Sequence, residues 1–220
     1  MTHAHAILLA LIPLAYVAGA IPFGLIIGNS RGIDPRKSGS GNIGATNVGR
    51  LLGGKFFAFV FTLDVLKGLL PPLAAAWVVR HFFPTPDALV YLLWLLVGFS
   101  AILGHMFSCF IHFKGGKGVA TSAGVVLGLF PYYTFAGLIA MALWIILFLW
   151  KRYVSLASIA AAIAFPIAYV ALALVNRWPI AHQQLPLLLF AILVAGMITI
   201  KHRANIKRLR AGTEHRFTKK

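Results

Sequence analysis

"VATSAGVVLGLFPYYTFAGLIAMALWIILFLW", residues 119–150, is the stretch on which the fold turns. It is apolar almost throughout, with Lys114 and Lys117 just before it and Lys151 and Arg152 just after. Basic gaps mark the cytoplasmic side of a bilayer, so a stretch with both ends there crosses an even number of times. It is too short for two ordinary spans of about 20 residues each. Pro131 supplies the turn, leaving a first leg over 119–130. At about 1.5 Å per residue that leg covers roughly 18 Å of a hydrocarbon core about 30 Å thick. Either the preceding loop, "FKGGKG", is sunk into the membrane or the bilayer thins there. Irregular backbone at that depth is tolerated only where it is buried in protein or lines a wet cavity.

The rest of the chain has the same character. Of 220 residues, 60% are hydrophobic and only 11% charged, a composition of multi-span membrane proteins rather than soluble domains. The apolar runs are long and continuous instead of alternating every second residue, which selects helices over a β-barrel. They cover roughly 6–28, 56–79, 88–111, 119–130, 132–150, 153–175 and 185–200. The first has no positive flank before it and is too long for a signal-peptide core, so it reads as a retained helix. Seventeen of the twenty Lys and Arg residues fall in alternate gaps and the C-terminal tail, placing the N-terminus outside and the C-terminus in the cytoplasm. With no repeat or linker, the expectation is an all-α, seven-helix membrane bundle with one short helix, a single domain over 1–220.

The net charge of +16 does not point to nucleic acid, because the basic residues sit between apolar runs and no basic or aromatic-interleaved module stands apart. Arg203, Lys207, Arg208 and Arg210 form a juxtamembrane basic run suited to anionic membrane lipids. Cys109 stands alone and forms no intrachain disulfide. Only Asp34, Asp64, Asp87 and Glu214 are acidic, so the sequence offers no carboxylate cluster for a metal and no pair for glycoside chemistry. Neither His81 nor His105 has an Asp five residues later, which removes the His-x4-Asp pattern of many acyltransferases.

The polar chemistry is concentrated in clusters that this topology places at one membrane face. In "SGSGNIGATNVGR", residues 38–50, glycines allow close backbone approach and positive φ, and successive N–H groups leading into a helix form an anion nest. Ser38, Ser40, Thr46 and Asn47 add neutral donors, and Arg50 can grip a phosphate through two hydrogen bonds. "FKGGKGVATS" is not the nucleotide-binding P-loop, since Gly118 follows Lys117 and no Gly precedes Gly116 by five. It still presents amides and two lysines at a helix start, which suits phosphate. His202 and Asn205 are three apart and share a face if the last helix runs on past Ile200. Asp64 and Lys67, inside the second span at the same spacing, either neutralise each other or serve function. His105 is an acid/base candidate or a donor to a carbonyl.

Three of these segments, "SGSGNIGATNVGR", "GHMFSCFIHFKGGKGVATSAG" and "HRANIKRLRAGTE", together resemble the bacterial membrane acyl-phosphate:glycerol-3-phosphate acyltransferases in order and spacing. "LDVLKG" at 63–68 and "RYVSLAS" at 152–158 extend the resemblance over nearly the whole chain. The resemblance implies a seven-span enzyme of the bacterial inner membrane with its active site facing the cytoplasm. It implies acyl transfer from acyl phosphate to the 1-hydroxyl of glycerol 3-phosphate, giving lysophosphatidic acid and phosphate. This is the first acylation of phospholipid synthesis. It implies no cofactor or metal, and a functional link to a soluble enzyme that makes acyl phosphate. Matched by position, Ser40, Arg50, Lys117, His202 and Asn205 are the expected catalytic residues. Gly41, Asn42, Gly44, Thr46, Asn47, Lys114, Gly115, Gly116, Gly118, Ser155 and Glu214 are the expected substrate-binding ones. Ile43 and Ser108 stand where proline is common, and His112 is an unusual choice.

Overall fold

The computed structural model describes residues 2–178, 180 and 184–217, and among them it is helical without strands. Two compact units divide between Phe130 and Pro131.

The first unit contains α1 (His3–Ala20), α2 (Phe23–Ser30), α3 (Ala45–Leu52), α4 (Gly54–Phe82), α5 (Ala88–Met106), a 3-10 turn at Cys109–Ile111, and α6 (Val119–Gly128). The first apolar run is broken rather than continuous: the residue before proline avoids helical geometry, and the chain parts at Ile21 and Pro22. Helix pairs α1/α5 and α4/α6 pack backbone to backbone through glycine. A Cβ at Gly19 would strike the Ala101 backbone and one at Gly104 the Tyr16 carbonyl; Gly68 lies against Thr121 and Gly124 against Val65 in the same way. In a bilayer, where lipid is as apolar as a leucine side chain, such close approach supplies much of the association energy. The buried Trp94 indole donates to the Pro72 carbonyl at 2.8 Å and ties α5 to α4.

The second unit contains α7 (Thr134–Lys151), α8 (Val154–Val175), α9 (Leu185–Lys201) and α10 (Arg203–Arg210). Its core is aromatic. Tyr133 is fully buried against Phe165, Tyr169 and Phe190, and its hydroxyl donates to the Leu187 carbonyl at 2.6 Å. A buried phenol needs such a partner.

All seven apolar runs of the sequence are helical. Among the described residues, five helical stretches are long and apolar enough to cross a bilayer, α1 and α2 counting as one, and six if α9 and α10 form one bent span. The helix α6, with 10 residues, covers only about half of the hydrocarbon core. Phe59, Leu70 and Trp77 on α4 and Phe135, Ile146 and Leu149 on α7 are exposed. Apolar surface on that scale is costly in water and natural in lipid; this is a multi-pass membrane protein.

A second local expectation fails, besides the continuity of the first run. The last helix does not continue straight into the tail: α9 ends at Lys201 and meets α10 at His202 with a bend of 59°. His202 therefore stands at the break and Asn205 in the first turn of α10, rather than both on one straight helix.

Candidate functional site

Each unit carries its own polar cluster. In the first, the chain leaves α2 and forms the loop that precedes α3, with Gly39 and Gly41 at positive φ. This loop is organised by Asn47, whose side chain is buried. The Asn47 Nδ2 group lies 2.9 Å from the Pro35 carbonyl, 3.0 Å from that of Ser38 and 2.8 Å from that of Asn42. Its Oδ1 accepts from the Ser40 N–H at 2.8 Å. The carboxamide is therefore spent on the loop backbone. Asn42 does similar work on a smaller scale: its Oδ1 accepts from the Gly44 N–H at 2.8 Å and sets the start of α3. Ser40 and Gly41 are exposed on this scaffold, Thr46 is half-buried on the first turn of α3, and Arg50 is half-buried in its last turn. Nearby, Arg36 hydrogen-bonds Asp34 through side chain and backbone and lowers its carboxyl to about 2.

The second loop of this unit, residues 107–118, lies on the end of α5. Ser108, one of the departures from the usual proline, donates its hydroxyl to the Ala20 carbonyl that the break after α1 exposes. His112 and Phe113 both have positive φ, which costs energy without glycine. The Gly116 N–H donates to the His105 carbonyl at 3.0 Å. Gly115, Gly116 and Gly118 leave no room for a Cβ, which would strike the His105 carbonyl, the His105 imidazole and the Met106 side chain respectively. Gly118, at φ +84°, forms the N-cap of α6. Loop amides and the first turn of α6 thus converge beside Lys117, which is half-buried, and Lys114, which is exposed. The Thr121 and Ser122 hydroxyls in that turn are buried without hydrogen-bond partners.

Beneath this loop Asp64 and Lys67 are paired at 2.8 Å, both buried. Lys67 also donates to the Ile21 carbonyl at 2.8 Å, the other acceptor exposed by the α1/α2 break. His105 Nδ1 stands 3.6 Å from the same Asp64 oxygen.

In the second unit, the buried Glu214 gathers three side chains. Ser155 donates to its Oε1 at 2.8 Å, Asn205 to the same oxygen at 2.6 Å, and Arg208 Nε to Oε2 at 2.7 Å. Burial raises the Glu214 pKa, but the three hydrogen bonds and the Arg208 charge outweigh it, so the carboxyl titrates below its ordinary value. It is a carboxylate at neutral pH. His202 is buried at the break, and its Nδ1 lies 2.8 Å from the Ile198 carbonyl. Since a carbonyl only accepts, Nδ1 carries the proton, and a neutral ring keeps its lone pair on Nε2. The tail after Glu214 is pinned to the start of α8, with the Phe217 N–H on the Arg152 carbonyl at 2.8 Å and Arg216 Nε on the Tyr153 hydroxyl at 3.1 Å.

The glycerol-3-phosphate acyltransferase family matches residues 9–212. This chain belongs to that family. A glycerol-3-phosphate acyltransferase of Aquifex aeolicus is 45% identical over 210 residues, covering 95% of this chain and 98% of the relative. One from Trichlorobacter lovleyi is 46% identical over 203 residues, covering 92% and 94%. The crystal structure of PlsY, an integral membrane glycerol 3-phosphate acyltransferase, in its glycerol 3-phosphate form superposes with a TM-score of 0.80 at 42% identity, with 96% of each chain covered. The lysophosphatidic acid form gives 0.77 at 42% identity, with 96% and 95% covered.

For an acyltransferase of this family, three features of the clusters carried no signal in the sequence read alone. Arg208 was grouped with lipid-facing basic residues, yet it shares the Glu214 carboxylate. Asn47 reads as a donor, and its donors are used inside the loop. The glycines of 115–118 are required by packing on His105 and Met106 as much as by access to their amides.

Proposed function

We propose that this acyltransferase moves a fatty acyl group from acyl phosphate to the 1-hydroxyl of glycerol 3-phosphate, releasing lysophosphatidic acid and phosphate. One observation carries the reading: a loop of Gly115, Gly116, Lys117 and Gly118 laid on the end of α5 at the start of α6, in a chain that matches the family over residues 9–212. Both substrates carry phosphate, which suits backbone amides reinforced by Arg50, Lys114 and Lys117.

An acyl phosphate is an activated mixed anhydride, so attack by the glycerol hydroxyl on its carbonyl carbon expels phosphate directly. Orientation and charge neutralisation then supply the acceleration. Lys117 and Arg50 neutralise phosphate charge, with the Ser40 hydroxyl and those amides of the two loops that are not already spent on Ser38, Asn42, Asn47 and His105 as neutral donors. His202 and Asn205 hold glycerol 3-phosphate. The Glu214 carboxylate, ionised and saturated by three donors, holds Asn205 and Ser155 in place and takes no proton. A phosphate oxygen of the substrate removes the hydroxyl proton.

The whole of 1–220 works as one acyltransferase domain with seven spans, α6 being the short one. The N-terminus lies outside, the C-terminus in the cytoplasm, and the loops of 38–50 and 107–118 at the cytoplasmic face of the bacterial inner membrane. The basic gaps support this orientation, and a soluble acyl-phosphate-forming enzyme on that side supplies the donor.

Purified protein given labelled glycerol 3-phosphate with either palmitoyl phosphate or palmitoyl-CoA tests the reading. Labelled lysophosphatidic acid from palmitoyl phosphate is the expected result. Product from the thioester alone overturns the donor, and no product from either overturns the reaction.

A further inference from the structure

The polar chain Lys67–Asp64–His105 lies inside the first unit, and the proposed reaction assigns none of its three members a task. Its members come from different helices: Asp64 and Lys67 from α4, His105 from the last turn of α5. All three are buried. Burying a charged pair costs several kcal/mol in desolvation, and a helix-packing contact made by apolar residues would do without it. Structural need alone explains only part of the arrangement. Lys67 caps the Ile21 carbonyl at the α1/α2 break, but neither the Asp64 charge nor an imidazole is needed for that.

Direction is the informative feature. His105 turns Nδ1 toward Asp64 at 3.6 Å and Nε2 toward Gly116, where the ring fills the space that a Gly116 side chain would take. The His105 carbonyl also accepts the Gly116 N–H at 3.0 Å. His105 therefore touches the glycine loop by ring and by backbone, and the Asp64 carboxylate, held in turn by Lys67, faces the ring from behind at 3.6 Å, an electrostatic contact rather than a hydrogen bond. A carboxylate or carbonyl behind a histidine is the usual way to fix the orientation and tautomer of an imidazole.

We infer that His105, oriented by Asp64 and Lys67, is a positioning residue that sets the shape of the 115–118 loop and so its grip on a phosphate group. The inference rests on the proposed reaction, in which that loop binds phosphate; the phosphate belongs to acyl phosphate or to glycerol 3-phosphate. A loop misplaced by a fraction of an ångström weakens binding of the phosphate-bearing substrate it holds and leaves the other substrate alone.

Purified full-length protein in detergent provides the test. Thermal unfolding is followed with added inorganic phosphate, and KM for acyl phosphate and for glycerol 3-phosphate is measured separately. The variants are His105→Ala, His105→Asn, Asp64→Asn combined with Lys67→Met so that no buried charge is stranded, Gly116→Ala, and the Gly116→Ala/His105→Ala pair. Asn keeps a donor near Nδ1 and lacks the rest of the ring. In His105→Ala we expect the KM of one substrate to rise about tenfold or more with kcat changed by less than about threefold. The substrate affected identifies the phosphate. The stabilisation by inorganic phosphate should shrink in step, and His105→Asn should recover part of both. Gly116→Ala, which drives a methyl into the ring, should cost less when His105 is already Ala, a non-additive cycle. Unchanged KM values in folded His105→Ala, an equal rise in both KM values, or an additive cycle would overturn the inference. Should His105→Ala not fold, His105→Asn and Gly116→Ala carry the same comparison, and wild-type kinetics in both would overturn it. A wild type that phosphate does not stabilise would remove the loop reading itself; a stabilised wild type matched by every variant removes only the role of His105.

Discussion

The Ser155 hydroxyl donates to Glu214 Oε1 at 2.8 Å, joining residues 59 apart in the chain. With Asn205 and Arg208 on the same carboxylate, Glu214 clamps the C-terminal tail to α8 and α10. Glu214→Gln is therefore expected to destabilise the protein, by about 1–3 kcal/mol after allowing for the partly exposed Arg208, and to lower activity through the displaced Asn205. Thermal unfolding in detergent alongside turnover measures both.

The same carboxylate has a pH signature. Its folded pKa lies below the ordinary value of 4.5, so its stabilisation is fully present above that value and is lost as pH falls through the folded pKa. The stability gap between wild type and Glu214→Gln should be constant near neutrality and close only in acid, below pH 4.5. A gap that closed between pH 6 and 8 would show that a different group controls the clamp.

Asn47 is buried with both ends of its carboxamide bonded to the 35–42 backbone. Asn47→Ala strands three carbonyls and an amide, and Asn47→Asp replaces the donor by a charge facing those carbonyls. Both should disorder the loop that carries Ser40 and Gly41, at a cost of about 1–3 kcal/mol for the buried groups left unpaired. Loss of activity in Asp at least as severe as in Ala is the expected order. The reverse order in a kinetic assay would mean that Asn47 does not hold the loop through its donors.

How far the sequence reveals this protein depends on the range of the interaction. The apolar runs became helices because twenty-residue hydrophobicity is a local property. The break at Pro22 was readable from proline's effect on Ile21, although the run looked continuous. The bend at His202 was not, because nothing in "TIKHRANIK" interrupts helical propensity. Asp64 and Lys67 are one turn apart and their pairing was legible. The approach of His105 to Asp64 depends on how α4 and α5 pack, which a single sequence does not disclose. For the same reason the glycines of 115–118 suggested phosphate before they suggested His105 and Met106.

Gly118 combines two constraints that one substitution would violate together. Its φ of +84° is left-handed, and a Cβ there would strike the Met106 side chain. Gly118→Ala should cost about 1–3 kcal/mol for the strained backbone alone and should displace the first turn of α6. Because the Met106 side chain is flexible, Met106→Ala in the same protein should relieve the steric part and leave the conformational part. Unfolding temperatures of the two single variants and the double separate these contributions, and a Gly118→Ala protein as stable as wild type would contradict the left-handed cap.

His202 distinguishes binding from proton transfer. Its Nδ1 is committed to the Ile198 carbonyl at 2.8 Å, so a ring contact to substrate would run through Nε2. If it holds glycerol 3-phosphate by hydrogen bonding, His202→Gln, whose carboxamide reaches a similar position and can turn its oxygen there to accept as Nε2 does, should retain more activity than His202→Ala, with the defect mainly in KM. If His202 removes the proton, Gln and Ala should fail alike in kcat while glycerol 3-phosphate still binds. The proposed substrate-assisted reaction predicts the first pattern. Equal kcat loss of about a hundredfold or more in both variants, with binding intact by calorimetry, would transfer the base role to His202.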